Sequence, residues 1–401
     1  MIERPVYFDK LEKLRDTDII KVLTGVRRCG KSTLLRMYQE KLIESGINAD
    51  QIQHYDLEDP AILDYAGNWR TFYDKIAADL RAGGMNYVFL DEIQNVADFE
   101  RLADGLFIKK NVDLYLTGSN AYFLSSDLAT LLSGRYVEIK VLPLSFAEYM
   151  SALDDKTDAA GKFNDYLYAG GFPATMKFRR DAEIVDEYLA GIQNTVMFKD
   201  VISRTGVNDR RTLESVAAFM FDNIGNITSA KGIADTLASK GRKVSHSTVE
   251  RYIDALSESL LFYPVEKTGI KGKKLLYTQK KYYAVDTGLR RLALGAREGG
   301  DLGRLLENVV YFELTRRCGV IRTGKIGPAE VDFVATGKGG YIEYYQVAWT
   351  LRGEQTLERE LSPLEKIRDH NPKYILSMDA EEPVYNGIRQ LNAVKWLLRE
   401  R

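Results

Sequence analysis

Eight residues near the start of the chain, Gly25 to Ser32, read G-V-R-R-C-G-K-S. They match the P-loop pattern G-x-x-x-x-G-K-[ST]. This pattern indicates a phosphate-binding loop only where it lies between an apolar strand and a helix. Both neighbours are present, because Ile19–Thr24 is an apolar run and Lys31–Glu44 has the periodicity of an amphipathic helix. The sequence therefore predicts a strand, a tight loop and a helix in succession.

The residue types of this loop fit the binding of a nucleoside triphosphate. Its glycines let successive backbone N–H groups and the helix N-terminus face the phosphates. Lys31 is expected to reach the β and γ oxygens, and the Ser32 hydroxyl to bind Mg²⁺. We therefore expect ATP and Mg²⁺ as ligands. The candidate nucleotide-binding residues are Gly25, Val26, Arg27, Arg28, Cys29, Gly30, Lys31, Ser32 and Thr33.

The first 142 residues alternate short apolar runs with amphipathic ones, which is the rhythm of a parallel α/β sheet. We therefore expect a P-loop parallel-sheet core over residues 1–142. Its five predicted strands are Ile19–Thr24, Ile52–Leu57, Tyr87–Asp91, Asp113–Thr117 and Tyr136–Val141.

Polar residues end the third and fourth predicted strands, at the sheet edge where α/β proteins bind ligands. Asp91 is expected to hold the Mg²⁺ shell, and Glu92 to polarise the attacking water. Ser119 or Asn120 is expected to sense the γ-phosphate or to orient that water. Such residues also occur in ordinary turns, so these assignments depend on the P-loop beside them.

Length and composition limit the other possibilities. A chain of 401 residues is too long to fold around one hydrophobic core, so several domains are expected. A net charge of −1 argues against a surface that coats nucleic acid or anionic membrane non-specifically. No stretch approaches the roughly 18 apolar residues of a membrane span, so we expect a cytoplasmic protein without membrane contact. The two cysteines and three histidines lack metal-ligand spacing.

Beyond residue 142 the pattern changes three times. Residues 143–205 carry helical patterns without strands, which predicts a small helical lid. Residues 206–290 carry three helical segments and a lysine-rich hairpin, the plan of a winged helix. Residues 300–401 predict a separate α/β domain. Its predicted helices include Ser362–His370, with Ser362 as N-cap and Pro363 first in the helix, and a closing helix near Ile388–Leu398.

The succession of these motifs is that of a known superfamily. The P-loop, the Asp-Glu strand end, the polar strand end and Ser133-Gly134-Arg135 before the fifth strand resemble an AAA-type ATPase. In that superfamily an arginine at this position often acts on the neighbouring subunit's nucleotide. The resemblance implies this role for Arg135, and hence a homo-oligomer; an arginine there would stabilise charge on the transferring phosphoryl group. The alternative is an exposed arginine that complements a helix dipole.

Seven short segments carry a closer resemblance: Gly25–Thr33, Leu90–Gln94, Gly134–Tyr136, Pro143–Phe146, Gly170–Pro173, Leu306–Asn308 and Glu330–Phe333. Over nearly all its length the chain resembles prokaryotic AAA-type ATPases of uncertain role. These proteins carry a winged helix and a C-terminal restriction-endonuclease-like domain. The resemblance implies the same domains here.

A restriction-endonuclease-like site needs an acid on one strand and an E-x-K pair on one face of the next. Glu307 and Asp332 fit the first acidic positions. Tyr344 and Gln346 stand where the glutamate and lysine are expected, and Glu343 falls on the opposite face. Because neither replacement supplies the required charge, we expect a degenerate site. Its remaining acids would be structural residues or weak metal ligands.

The stretch from Lys267 to Lys281 contains six lysines and no acidic residue. As the wing of a winged helix it would place Lys271, Lys273 and Lys274 against the phosphates of duplex DNA, and binding would weaken steeply with salt. The alternative is a spacer or protein-docking module whose lysines are merely solvated.

These predictions favour an ATPase that couples Mg²⁺-ATP binding and hydrolysis to movement of its appended domains on DNA or a DNA-bound protein. Two other functions stay open. One is a signalling or scaffold switch whose domains bind protein only, and the other is an ATP-dependent nuclease.

Overall fold

A computed structural model describes residues 2–65, 67–120, 134–202, 209–270, 275–295, 302–337 and 339–399, with residues 63 and 275–279 described by their backbone alone. The chain forms two units. The first comprises residues 1–143 with 258–260, and the second comprises residues 144–257 and 261–401.

Five parallel strands form the sheet of the first unit: β1 (Ile20–Thr24), β2 (Ile52–Asp56), β3 (Asn86–Asp91), β4 (Val112–Gly118) and β5 (Tyr136–Lys140). Their order across the sheet is β2-β3-β4-β1-β5, and every neighbouring pair is parallel. Every residue of β1 and β3 is buried, as expected for parallel strands covered on both faces. The five predicted strands are confirmed.

Helices cover this sheet in the described part of the unit. Phe72 and Ile76 from one helix and Leu102 and Leu106 from another pack against the apolar residues of β1, β3 and β4. The predicted helix after the P-loop is confirmed at both ends. The helices are α1 (Pro5–Leu14), α2 (Lys31–Glu44), α3 (Pro60–Leu63), α4 (Trp69–Ala78) and α5 (Phe99–Phe107), with short 3₁₀ turns at Ala49–Gln51 and Ile93–Asn95.

The second unit begins with helices, as its sequence predicts. Serine caps begin two of them, because Ser229 Oγ accepts from Gly232 N and Ser245 Oγ accepts from Thr248 N. The helices are α6 (Phe146–Ser151), α7 (Ala159–Ala169), α8 (Ala182–Thr195), α9 (Arg210–Asp222), α10 (Ala230–Ser239), α11 (His246–Glu258) and α12 (Thr287–Leu294), with a 3₁₀ turn at Pro173–Lys177 and a π-helical segment at Val196–Ile202.

Nine strands of the second unit form one sheet: β6 (Ile227–Thr228), β7 (Phe262–Gly269), β8 (Leu275–Ala284), β9 (Val320–Ile326), β10 (Ala329–Thr336), β11 (Ile342–Val347), β12 (Lys373–Ser377), β13 (Val384–Tyr385) and β14 (Ile388–Asn392). Their order is β13-β14-β12-β11-β10-β9-β7-β8-β6. The helices α13 (Leu302–Arg317), α14 (Glu354–Glu365) and α15 (Ala393–Leu398) accompany the later strands.

The β7–β8 hairpin is continuous with the later strands. Residues 267–269 of β7 pair in parallel with residues 323–325 of β9. The sheet therefore crosses the expected boundary between residues 206–290 and 300–401. The division into a lid, a winged helix and a nuclease-like domain stays a prediction.

Two predicted helices of the last segment are wrong. The helix predicted at Ser362–His370 is instead α14, which ends at Glu365 and contains Pro363 in its last turn. A proline there loses one hydrogen bond, and its buried ring packs in the interior. The closing helix predicted near Ile388–Leu398 is strand β14 followed by α15, because Ile388 and Gln390 alternate inward. Asn392 then caps α15 by accepting from the Lys395 N–H.

The Gly-Gly-Phe-Pro segment meets the start of α12. Asp286 caps that helix by accepting from Leu289 N at 3.0 Å, and its other oxygen accepts from Gly171 N at 2.6 Å. A Cβ on Gly170 would lie 2.2 Å from Asp286 Oδ1, and Gly170 has a φ of +76°, so glycine is required there. Burial raises the pKa of Asp286 to about 6, against the effect of the N–H donors.

No helix in the described part of the chain is both long and apolar enough to cross a membrane.

Candidate nucleotide site and a buried charged cluster

The P-loop turns tightly between β1 and α2. A Cβ on Gly25 would lie 2.2 Å from the carbonyl oxygen of Val141, so only glycine fits. Cys29 is fully buried, and its thiol donates to the same carbonyl at 3.2 Å. Burial raises the pKa of Cys29, which keeps the thiol neutral. Cys29 is therefore a packing residue of the loop.

Arg4 holds the P-loop from the N-terminal segment, a contact that the sequence pattern does not indicate. The side chain is buried, and its two terminal nitrogens donate to Cys29 O at 3.1 Å and Leu142 O at 2.7 Å. A guanidinium is a planar fork of donors, so it fixes both carbonyls at once. The only sequence signal was an arginine beside a proline that begins a helix.

Lys31 is buried and forms two contacts within the loop region. Its Nζ donates to Gly25 O at 2.9 Å and lies 3.3 Å from Glu92 Oε1. Burial by itself lowers the pKa of Lys31, but the negative charges of Glu92 and Asp91 contribute to a net increase. The ammonium is therefore charged at neutral pH.

Glu92 is held in place by its backbone and its side chain. Its φ of 57° is unusual for a residue other than glycine, and its N–H donates to Thr117 Oγ1 at 2.8 Å. The Gln94 amide donates to Glu92 Oε2 at 2.5 Å. Burial opposes ionisation, but the Lys31 charge and the Gln94 hydrogen bond lower the pKa of Glu92. The carboxylate is thus ionised at neutral pH and is a proton acceptor.

Asp91 and Ser32 are brought together at the ends of β3 and the P-loop. The Asp91 carboxylate accepts hydrogen bonds from the Ser32 and Thr117 hydroxyls. Burial raises the pKa of Asp91, and these two hydrogen bonds oppose the increase. A hydroxyl and a carboxylate beside a lysine are the ligands that Mg²⁺ and a triphosphate require, so these residues fit that pair.

The remaining predicted residues lie around this centre. Arg27 donates to Glu58 Oε1 at 2.7 Å, and Val26 is buried. Ser119 is buried with its Oγ 3.3 Å from the Gln94 amide nitrogen, which brings Ser119 close to Glu92. The other positions follow the chain: Gly30 precedes α2, Arg28 and Thr33 are exposed, and Asn120 is buried just after β4.

Arg135 directly precedes β5, as predicted, and is half exposed. Its Nη1 lies 2.5 Å from Asp104 Oδ1, and its guanidinium lies 5.6 Å from the ring centre of Phe107. Both partners belong to α5 of the same chain. An action of Arg135 on a neighbouring subunit stays a prediction, and Ser133 before it lies outside the described residues.

A second group of charges lies in the second unit, and we call Lys281, Glu307, Glu330 and Asp332 the carboxylate–lysine cluster. Lys281 Nζ lies 2.6 Å from Glu330 Oε1, 3.2 Å from Glu307 Oε1 and 3.7 Å from Asp332 Oδ1. Burial and the neighbouring Glu307 raise the pKa of Asp332 well above its usual range, against the charge of Lys281. Glu307 and Asp332 therefore lie close together, and their assignment to a degenerate nuclease-like site stays a prediction.

The Gln346 side chain lies beside this cluster, and both the oxygen and the nitrogen of its amide form hydrogen bonds with protein groups. Its Oε1 accepts from Asp332 N at 2.8 Å, and its Nε2 donates to Glu360 Oε2 at 2.7 Å. Tyr344 donates its hydroxyl to Asp369 at 2.6 Å. In the described part of the chain, no group of acidic, histidine or cysteine residues is arranged to hold a metal ion. The nuclease-like residues therefore do not fit a divalent cation.

The predicted DNA-contacting residues Lys271, Lys273 and Lys274 lie outside the described residues. The ends of the same lysine-rich stretch are buried instead of solvated. Lys267 Nζ lies 2.5 Å from Glu330 Oε2, and Lys281 belongs to the carboxylate–lysine cluster.

The P-loop lies within the part of the chain that matches a known family model. A family model described as an AAA domain matches residues 17–150, and one for a domain of unknown function (DUF8612) matches residues 160–299. The first unit is therefore a P-loop domain of the AAA ATPase class.

Two relatives match most of the chain. An uncharacterized protein of Haemophilus influenzae is 37% identical over 406 residues, which cover 100% of this chain and 99% of the relative. This chain therefore belongs to the same family as the H. influenzae protein. An uncharacterized protein of Methanocaldococcus jannaschii is 28% identical over 364 residues, covering 86% of this chain and 78% of that one.

Among solved structures, a Walker-type ATPase of Pyrococcus abyssi aligns with a TM-score of 0.49 at 16% identity. The alignment covers 73% of this chain and 96% of that one.

Proposed function

We propose that this chain is an ATPase that binds Mg²⁺-ATP and hydrolyses it to ADP and phosphate. The observation that carries the proposal is the meeting of Lys31, Ser32, Asp91 and Glu92 at the carboxyl ends of β1 and β3. A cationic group, a hydroxyl and two acids of different pKa meet there, which are the groups that phosphoryl transfer to water requires.

Each residue has a distinct part in the proposed reaction. Lys31 binds the β- and γ-phosphate oxygens and thereby leaves Glu92. Ser32 and Asp91 hold Mg²⁺, which neutralises charge on the phosphates when it is bound. Glu92, ionised and oriented by Gln94, accepts a proton from the attacking water. Ser119 or Asn120 senses the γ-phosphate.

Two substitutions test this assignment. Lys31→Ala is expected to abolish nucleotide binding in a fluorescent-ATP titration. Glu92→Gln is expected to retain binding but to reduce phosphate release by about 10²-fold or more, the usual contribution of a general base. Hydrolysis by Glu92→Gln at the wild-type rate would show that Glu92 does not activate the water.

We further propose that the nucleotide cycle moves the second unit on duplex DNA or on a DNA-bound protein. The order α9, β6, α10, α11, β7 and β8, with β6 paired antiparallel to β8, supports a winged helix. Replacing Lys271, Lys273 and Lys274 together by alanine should weaken duplex binding and make it less salt-dependent in an anisotropy assay. Absence of binding at low salt would favour the protein-binding switch.

A homo-oligomer completes the proposal. Arg135 is half exposed beside β5, which would let it leave Asp104 and act on a neighbour's nucleotide. Mass in solution should rise with ATP for the wild type. Arg135→Ala should retain ATP binding but lose the ATPase activity that depends on assembly. Activity that is independent of protein concentration and of Arg135 would contradict this role.

A further inference from the structure

Lys281 stands where three carboxylates converge. It extends from β8 with its side chain 5% exposed, and it faces Glu307 of α13 and both Glu330 and Asp332 of β10. Burying a charged group so completely requires compensation by opposite charges. Here one ammonium is the common partner of carboxylates from two other elements.

Each of these carboxylates also accepts a hydrogen bond from, or pairs with, a second protein group. Glu307 Oε1 accepts from the Tyr283 hydroxyl at 2.7 Å, and Asp332 Oδ2 accepts from Val347 N at 2.9 Å. Lys267 occupies Glu330 Oε2. A divalent cation needs about six oxygens in its own shell, at roughly 2.0–2.6 Å. The carboxylate oxygens of this cluster instead accept hydrogen bonds from N–H and O–H groups of the protein.

We propose that the Lys281 ammonium replaces the divalent cation of a nuclease-like site and makes the carboxylate–lysine cluster a metal-independent clamp. The clamp joins the β7–β8 hairpin to α13 and β10. Without the ammonium, Glu307, Glu330 and Asp332 close around a divalent cation in its place. This inference is independent of the proposed ATPase activity.

The geometry distinguishes Lys281 from its neighbour in the sequence. Lys280 precedes it on the same strand, and alternation along a strand places successive side chains on opposite faces. Lys280 is only half-buried, whereas Lys281 is buried. Lys280→Met is therefore a matched control for Lys281→Met, since both remove one lysine charge from β8.

The test measures Mn²⁺ binding to the full-length protein without nucleotide, by the loss of the free-ion electron paramagnetic resonance signal. Wild type and Asp332→Asn should bind Mn²⁺ equally. Lys281→Met should gain one site, and Asp332→Asn added to it should weaken that site by at least about 10-fold, the loss caused by removing even an outer partner of a metal. Lys280→Met should gain none.

Two results would overturn the proposal. One is Mn²⁺ binding by the wild type that falls in Asp332→Asn, because the metal would then already occupy the cluster. The other is folded Lys281→Met that gains no site. If Lys281→Met does not fold, Lys281→Met with Glu330→Gln removes one charge of each sign and should gain a weaker Mn²⁺ site that Asp332→Asn abolishes. A folded double variant that binds no additional Mn²⁺ would also overturn the proposal.

Discussion

The ammonium of Lys31 and the carboxylate of Glu92 form a buried ion pair, with 3.3 Å between Nζ and Oε1. Both residues are proposed to act on the same nucleotide. Phosphate binding would therefore draw Lys31 from Glu92 and leave that carboxylate to bind water. The pair would keep the proton acceptor occupied until the substrate arrives.

Glu92→Gln should consequently bind ATP more tightly than the wild type. The substitution removes a competitor for Lys31 and a negative charge near the phosphates, and a hydrogen bond between charged groups is worth about 1.5–3 kcal/mol. We expect Kd to fall about 10-fold in a fluorescent-ATP titration. Glu58→Gln, which removes the exposed partner of Arg27, is the control and should change Kd less. An unchanged or higher Kd for Glu92→Gln would contradict competition for Lys31.

Arg4→Met should destabilise the first unit and weaken ATP binding. The change removes a buried guanidinium that fixes the carbonyls of Cys29 and Leu142, and the loss of stability should be on the order of 2–4 kcal/mol. Arg4→Lys should not restore it, because an ammonium lacks the planar fork. Urea denaturation measures the stability, and the exposed Lys13→Met in α1 serves as control. Full rescue by lysine would argue against this geometry.

Gln94→Met should move the acidic limb of the kcat–pH profile to higher pH. The Gln94 amide is one of the groups that lower the pKa of Glu92, so its removal raises that pKa and protonates more of the base at a given pH. Nucleotide Kd should change little. Gln51→Met removes a comparable amide that donates to Met85 O, and its profile should match the wild type. A lower kcat with an unmoved profile would indicate that Gln94 has only a structural role.

Asp286 should make the second unit less stable as pH rises from about 4 to 6. Its folded pKa of about 6 exceeds the ordinary value of about 3.9, so the folded state holds the proton more tightly in that window. Relative to Asp286→Asn, the wild type should lose on the order of 3 kcal/mol across it in urea denaturation.

Asp379→Asn is the comparison variant, because the pKa of Asp379 is shifted in the opposite direction to that of Asp286. Hydrogen bonds from Leu351 N and from two hydroxyls outweigh partial burial and lower the pKa of Asp379. Its contribution is therefore present above the unfolded pKa and is lost as pH falls. Parallel pH trends for the two variants would contradict the assignment for Asp286.

The first unit could largely be predicted from the sequence because its signals are local. The apolar run of β1, the glycines of the P-loop and the acids after β3 lie within short segments, and parallel strands bring their ends to one edge. Arg4 could not be predicted in the same way. Its partners Cys29 and Leu142 are distant in sequence. In a sequence, an arginine that will be buried cannot be distinguished from one that will be exposed.

The charged cluster shows the same limit more strongly. Glu307 and Asp332 were predicted by resemblance, but Lys281 was grouped with lysines expected to be solvated or to contact phosphate. Its inward direction is shown by its contacts with Glu307, Glu330 and Asp332, which follow it in the chain by 26 residues or more. In the final segment, Ser362 and Pro363 matched a helix start although they lie near a helix end, since burial of the proline outweighs its local preference.

The parallel pairing between β7 and β9 also limits how this chain can be divided. A fragment that ends before α13 would expose the backbone edge of β7 and leave Lys267 and Lys281 without their carboxylates. Open strand edges of this kind promote aggregation. The β7–β8 hairpin and roughly the last hundred residues should therefore be expressed together. A fragment that contains both should stay soluble where the hairpin without these residues aggregates.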